Sequence, residues 1–403
     1  GASESDVVWD VTDPVGVTGM QTEINGGTLT FTARSQEIKE YVAFSLSHSL
    51  PQPEFIENVD NQDLHATSPA EMVIVAPAQF AGQANRLATI HNQHSNLSVV
   101  VAERNKIYNE FSWGHPDPGA IRGFLKMLYD RAGENANETP KLLLLFGDGT
   151  YDNRHIDNTP ASPLPTYQSD NSIYQTSTFV TDDFFGFLDD NEGADLRNDR
   201  LDIGIGRFPV SSPEQAENAV NKSEAYLLNQ EPGKWKNKLT FIGDDGDFNI
   251  HIRDADRLTQ KIAANHEQFN LNKIYFDAFK MTTGATGKEF PGAKTEVMQA
   301  ISEGTLILNY TGHGSENNLA HEKIITRTDI NGWNNRDKLP LFITATCEFS
   351  RFDNHNHTSA GEEVFLNPNG GGIALLSTTR IVYSSLNFTL NNAFYNHAFE
   401  KDE

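Results

Sequence analysis

The chain has one cysteine, Cys347, and it directly follows an aliphatic run, Leu339-Pro-Leu-Phe-Ile-Thr-Ala-Thr346. His313 stands in the same relation to a second run: Thr305-Leu-Ile-Leu-Asn309 leads into Tyr310-Thr-Gly-His-Gly-Ser315. A thiol is largely protonated at neutral pH, and a nearby imidazole converts it to the reactive thiolate. The chemistry such a pair performs is acyl transfer. The thiolate attacks a peptide carbonyl, the imidazolium protonates the leaving amine, and water or another amine resolves the thioester. The glycines flanking His313 would let a substrate backbone come close. The Gly314 and Cys347 amides are the expected donors of the oxyanion hole. Spacing alone leaves the bland reading open: a lone Cys at a strand end is commonly a small core residue, and a lone His a satisfied polar one.

Such a pair needs a scaffold that brings two distant segments to one rim. Open parallel sheets do this, because their sites form beyond the carboxyl ends of the strands. Residues 1–66 read as a small β-rich segment, with Thr28–Thr32 alternating as a strand would. From 67 to 232 the pattern is α/β. Strands are expected at Met72–Ala76, Ser98–Ala102, Leu142–Phe146 and Leu201–Gly206, as continuous apolar runs that suit parallel strands covered on both faces. Asp117-Pro118 opens a helix whose apolar face is Ile121, Phe124, Leu125 and Leu128. Ser212-Pro-Glu-Gln215 opens another with capping-box spacing. After the Glu231-Pro232-Gly233 break a second α/β unit, 233–403, is expected. Its strands are Leu239–Gly243, Lys273–Phe276, Thr305–Asn309, Leu341–Thr344 and Gly372–Ser377, with helices near Asp254–Ala264 and Thr295–Ser302. The fold class is therefore α/β, with two consecutive subdomains of mainly parallel sheet and right-handed crossovers.

Composition narrows the partners. The 403 residues carry 31 Lys+Arg against 55 Asp+Glu, a net charge of −24. That field repels phosphate backbones and anionic membrane surfaces, so nucleic acid is not expected as a partner. A single cysteine excludes an internal disulfide framework. The longest aliphatic block, Leu142 to Phe146, is too short to span a bilayer, so no transmembrane segment is expected. The chain opens Gly1-Ala2-Ser3-Glu4, without the basic and apolar regions of a signal peptide, and stops in the polar run Glu400–Glu403. It reads as a piece of a longer protein.

The segments Tyr310-Thr-Gly-His-Gly-Ser315 and Thr344-Ala-Thr-Cys-Glu-Phe-Ser350 resemble the His and Cys motifs of the gingipain-type cysteine peptidases, most nearly those acting as sortases of type IX secretion. Val8-Trp-Asp-Val-Thr-Asp13, Pro116–Arg122, Leu143–Gly149 and Leu366–Gly371 share the likeness, so it runs through nearly the whole chain. The resemblance implies a caspase-like catalytic domain and an orienting carboxylate for His313. In Thr181-Asp-Asp-Phe-Phe185 the residue that matches best is Asp182, with Asp183 beside it. It also implies substrates that are cargo proteins with a C-terminal secretion signal. The signal would be removed and the cargo joined to anionic lipopolysaccharide at the cell surface or outer membrane, in the company of other type IX components. Two other readings stand beside this one: a secreted endopeptidase without a ligase role, and a catalytically silent module of a secretion complex.

The chemistry needs no cofactor. Asp244-Asp245-Gly-Asp247-Phe-Asn249 has closely spaced oxygen ligands of the kind calcium takes, without an EF-hand's full spacing. Gingipain-type peptidases carry structural calcium, so Asp244, Asp245 and Asp247 are the candidate ligands; a solvated turn is the competing reading. Asp148 and Asp152, in a Gly-rich loop at a strand end, are candidates to line the cleft. His355-Asn-His357 reads as a plain loop. Glu348 could shape a substrate pocket or cap the next turn.

Overall fold

A computed structural model describes the chain except residues 35, 56–57, 137, 158–162, 172, 230–232, 285–286 and 401–403. The chain forms two compact units, Gly1–Asn61 and Gln62–Glu403. In the first, Asp6–Asp10 pairs antiparallel with Thr18–Gly19 and with Tyr41–Ser45. A separate hairpin joins Thr22–Asn25 to Thr28–Phe31. Gly26 and Gly27 both have positive φ, as the tightest right-twisted hairpin turn requires.

The second unit holds two parallel sheets. The first runs in the order Gly204–Phe208, Leu142–Phe146, Met72–Ala76, Val99–Glu103. The second runs Asn270–Tyr275, Lys238–Gly243, Ile307–Thr311, Leu341–Ala345, Ala374–Ser377. The two expected α/β patterns are thus two sheets of one unit. Of the expected break between them, Glu231 and Pro232 lie outside the described residues.

Local signals carried most elements. Asp117 caps the helix Pro118–Ala132 by accepting from the Gly119 amide, and Ile121, Phe124, Leu125 and Leu128 are buried. Ser212 caps the helix Pro213–Leu227 by accepting from the Gln215 amide. The Ser211 amide donates the return bond to Gln215 Oε1, so the capping box is displaced by one residue.

Two strands sit further along the chain than their apolar runs suggest. At Gly204–Phe208 the cause is Asp202, whose carboxylate takes the Leu188 and Asp189 amides and whose own amide bonds the Gly186 carbonyl. Residues 201–203 are thereby committed to a turn. At Ile307–Thr311, buried Thr305 is spent on the Lys238 carbonyl. The helices Ala81–His94, Arg104–Phe111 and Ser384–His397 are additional to those expected from sequence. The last is rich in Asn and aromatic residues of modest helix propensity, and tertiary packing holds it. Its Asn391 is buried and exchanges two hydrogen bonds with Asn309 of the central strand.

Candidate active site

The strands Ile307–Thr311 and Leu341–Ala345 are neighbours, in parallel register from Ile307 opposite Leu341 to Thr311 opposite Ala345. Each chain continues two residues past that last pair, to His313 and to Cys347. Matched register and a strand separation of about 4.8 Å deliver both to the same stretch of one rim. The Gly312 amide, donating to the Ala345 carbonyl at 3.2 Å, extends the pairing. A side chain at Gly312 would lie 2.4 Å from Asp244 Cβ and 2.5 Å from Tyr310 Oη, so only glycine fits.

The backbone of His313 is held at both polar atoms. Its amide donates to Asp244 Oδ2 at 3.0 Å; its carbonyl accepts from the Ala320 amide at 2.8 Å and from Tyr310 Oη at 2.6 Å. The ring stacks on His321 with centroids 4.5 Å apart and meets the edge of His251 at 5.1 Å. His313 Nε2 lies 3.1 Å from Asp247 Oδ2. With Nε2 facing a carboxylate, Nδ1 is the nitrogen left to act on a thiol. Asp247 belongs to a left-handed turn, Asp247-Phe-Asn249, at the start of the helix Gly246–Asn265. Burial, with help from the neighbouring His313, pushes the His251 imidazole below its ordinary range.

Cys347 is half-buried, and its Sγ donates to the Val382 carbonyl at 3.6 Å. Glu348, the next residue, has φ +51°, so the chain turns sharply just past Cys347. Segment 378–382 braces that turn. The Thr346 carbonyl accepts from Thr378 Oγ1, the Glu348 amide donates to the Arg380 carbonyl, and the Ser350 amide to the Thr378 carbonyl. Arg380 is itself locked by a two-point ion pair with fully buried Asp353, at 2.8 and 2.5 Å.

Gly314, the expected oxyanion donor, lies beside a short strand pairing. It sits opposite Leu319 in an antiparallel bridge whose two hydrogen bonds are made by the flanking residues, Ala320 to His313 and Ser315 to Asn318. Its own amide is not spent in that pairing. A Cβ here would come within 2.4 Å of Thr346 Oγ1.

Asp182 is not brought to the imidazole by any hydrogen bond or ion pair among the described residues. Both its carboxylate oxygens grip Arg207, at 2.9 Å to Nε and 2.8 Å to Nη2. The Arg207 side chain is 5% exposed, and a cation so dry needs a counter-charge. Asp182 and Arg207 line a cavity of about 320 Å³ between the edge strands Gly204–Phe208 and Ala374–Ser377. The carboxylate at the His313 ring is Asp247. The acidic run containing it was legible in sequence as an oxygen-ligand loop, but nothing local linked it to His313.

The three expected calcium ligands divide. Asp244 and Asp245 gather with Glu322, their oxygens within 4.8 Å of one another, whereas Asp247 gathers with His251 and His313. The left-handed turn sends Asp247 to the other cluster. Burial raises Asp245 and Glu322, reinforced by neighbouring carboxylates. Asp148 is tied to Ser211 and Gly149, and Asp152 accepts from the Asp157 amide. Both are braces of the loop. His355 bonds Thr150 and Asp157 while His357 meets Arg327, so the two imidazoles serve separate contacts. Glu348 lies 3.5 Å from Arg351. No helix among the described residues is long and apolar enough to cross a membrane.

Comparisons with known proteins agree with this geometry. The family model for peptidase family C25 matches residues 65–402. Dimeric latent PorU from Porphyromonas gingivalis is 32% identical over 58% of this chain, with a TM-score of 0.51. The chain spans 23% of that PorU chain. The complex of Porphyromonas gingivalis RgpB pro- and mature domains is 16% identical, covers 83% of this chain and 69% of its own, and has a TM-score of 0.61. The Arg specific cysteine proteinase gingipain R is 16% identical over 82% of this chain and 67% of its own, at 0.60; these two likenesses establish a shared fold. No curated protein matches the chain. The caspase-like architecture expected from the motifs is present, and the chain belongs to peptidase family C25.

Proposed function

We propose that Cys347 is the nucleophile of an acyl-transfer reaction and His313 its base. The observation that carries this reading is the register of two neighbouring strands, whose last pair is Thr311 opposite Ala345, each two residues before His313 and Cys347. Attack by the thiolate on a peptide carbonyl would place negative charge where the Gly314 and Cys347 amides can receive it. His313 takes the thiol proton at Nδ1 and returns it to the leaving amine. Asp247, on Nε2, orients the ring and stabilises the imidazolium. Asp182, paired with Arg207, shapes the wall between the two sheets instead. A calcium ion would serve structure and not chemistry, with Asp244, Asp245 and Glu322 as its carboxylates.

The finer reading is a sortase-like transpeptidase. Its substrates would be cargo proteins carrying a C-terminal secretion signal, cleaved at a thioester on Cys347 and passed to an anionic lipopolysaccharide at the cell surface. The identity to PorU and the motif likeness support it. Other type IX components are the partners it implies. A free thioester serves hydrolysis and aminolysis equally, so the test is product analysis with and without an amine acceptor. Transfer product that vanishes in Cys347→Ala supports the transpeptidase; hydrolysis alone under a good acceptor leaves a gingipain-like endopeptidase. A Cys347 that resists iodoacetamide until the protein unfolds would overturn the enzyme reading in favour of a silent module.

A further inference from the structure

Three potential ligand atoms meet beside the rim, one each from Asp247, His251 and His313, all within 4.8 Å of one another. Asp247 Oδ2 lies 3.1 Å from His313 Nε2 and 3.5 Å from His251 Nε2. A tetrahedral zinc ion with bonds of about 2.1 Å holds adjacent ligand atoms about 3.4 Å apart. Two edges of this triangle already have that spacing.

His251 supplies a second, independent observation. Its side chain is 6% exposed, yet Nδ1 has no hydrogen-bond partner among the described residues and Nε2 has only the long 3.5 Å contact with Asp247 Oδ2. Buried polar atoms are nearly always satisfied. A dry imidazole with an unspent nitrogen beside a carboxylate and a second imidazole is arranged as a ligand is. Asp247 and His251 are four residues apart at the start of one helix, so a single element presents both to His313 on the adjoining strand end.

We propose that Asp247, His251 and His313 form a site for a tetrahedral transition metal of the zinc type, and that its occupation silences Cys347. Two imidazoles and one carboxylate leave a fourth position for water or for the thiolate. Calcium, which takes six to eight oxygens, is drawn instead to the all-carboxylate group of Asp244, Asp245 and Glu322. A metal on Nε2 takes the place of the 3.1 Å contact with Asp247 and displaces any proton carried on that nitrogen, which leaves to solvent. The remaining ring proton then sits on Nδ1, and the imidazole has no lone pair for the thiol. The inhibitory half rests on the roles proposed above for Cys347 and His313; the metal site itself does not.

The test uses the full chain, stripped with EDTA. Zinc affinity is measured by competition with a chromophoric chelator, and coordination by the visible spectrum of the cobalt(II) form. The expected result is single-site binding with a four-coordinate cobalt spectrum, weakened at least tenfold in His251→Gln and in Asp247→Asn. Calcium should not displace the cobalt. Zinc should slow alkylation of Cys347 at least tenfold in the native chain, and His251→Gln should be spared at the same zinc concentration. If His251→Gln does not fold, Asp247→Asn carries the test, since that side chain is 62% exposed. Zinc binding unchanged in both variants, no binding at all, or displacement by equimolar calcium would each overturn the site. Variant-sensitive binding without slower alkylation would overturn inhibition alone. A thiol inert even after EDTA would overturn the proposed catalytic pair, with the cobalt spectrum still reporting the site.

Discussion

Asp247 Oδ2 lies 3.1 Å from His313 Nε2, across the gap between a helix start and a strand end that are 66 positions apart in the chain. Asp182, the acid suggested by motif likeness, is instead held by Arg207. Asp247→Asn should therefore lower the rate of Cys347 alkylation at neutral pH by about tenfold, less than the roughly 10²–10⁴-fold a general base itself supplies, because Asp247 acts only through His313. Asp182→Asn should leave that rate within about twofold. Its cost should fall on stability, on the order of 3 kcal/mol, because a buried guanidinium loses its partner. Iodoacetamide kinetics and urea unfolding of the two variants separate the roles, and equal alkylation rates would refute this assignment.

His313→Ala should remove the pH dependence that the imidazole imposes on thiol reactivity. Alkylation should then depend on the thiol alone, without a contribution from an imidazole. Cys347→Ala should abolish peptide cleavage with the melting temperature within a few degrees of native. The measurement is a pH–rate profile of alkylation beside thermal unfolding by circular dichroism. A profile unaltered by His313→Ala would remove the base from the mechanism.

The Asp353–Arg380 pair is buried and two-pronged, and it holds the segment that receives the Cys347 thiol and the Glu348 amide. Asp353→Asn should cost about 3–5 kcal/mol, since the guanidinium stays behind without its counter-charge. Urea unfolding gives the number, and a loss below about 1 kcal/mol would mean the brace relaxes onto other partners.

Glu362 is buried, and burial together with Asp148 raises its carboxyl to about 8. The unfolded carboxyl titrates near 4.5, so between these values the folded chain keeps a proton that the unfolded chain has lost. The contribution is complete below about pH 4.5 and falls away as pH rises towards 8, by up to about 1.4 kcal/mol per pH unit. Glu362→Gln keeps an acceptor for the Ser359 amide and hydroxyl but has no proton to lose. Unfolding measured from pH 5 to 8 should therefore decline less steeply in the variant. Parallel curves would place the effect elsewhere.

Lys222 is buried, and burial lowers its ammonium to about 7 while its Nζ donates to the Phe365 carbonyl. Here the unfolded state binds the extra proton, between about 7 and the ordinary 10.5, so this group's contribution rises with pH across that window. Lys222→Met should flatten the corresponding limb of the stability curve above pH 7.

Much of the scaffold was legible in the residues themselves. The runs Met72–Ala76 and Leu142–Phe146 are strands end to end, and Asp117 and Ser212 cap the helices they announce. These are local signals: apolar period, a capping oxygen, a proline in the first turn. Cys347 and His313 could be singled out for the same reason, each standing where an aliphatic run ends. Which carboxylate lies against His313 is not a local property. It depends on a left-handed turn that swings Asp247 away from Asp244 and Asp245, and on a buried Arg207 that claims Asp182. Nothing local marks His251, which within its own segment is one helical residue among others; only the packed structure shows its nitrogens buried without a hydrogen bond among the described residues. Strand and cap preferences are set within a few residues and can be read along the chain. Charge pairing and dehydration are set by what the fold brings within a few ångströms, and those neighbours are written in no single stretch of sequence.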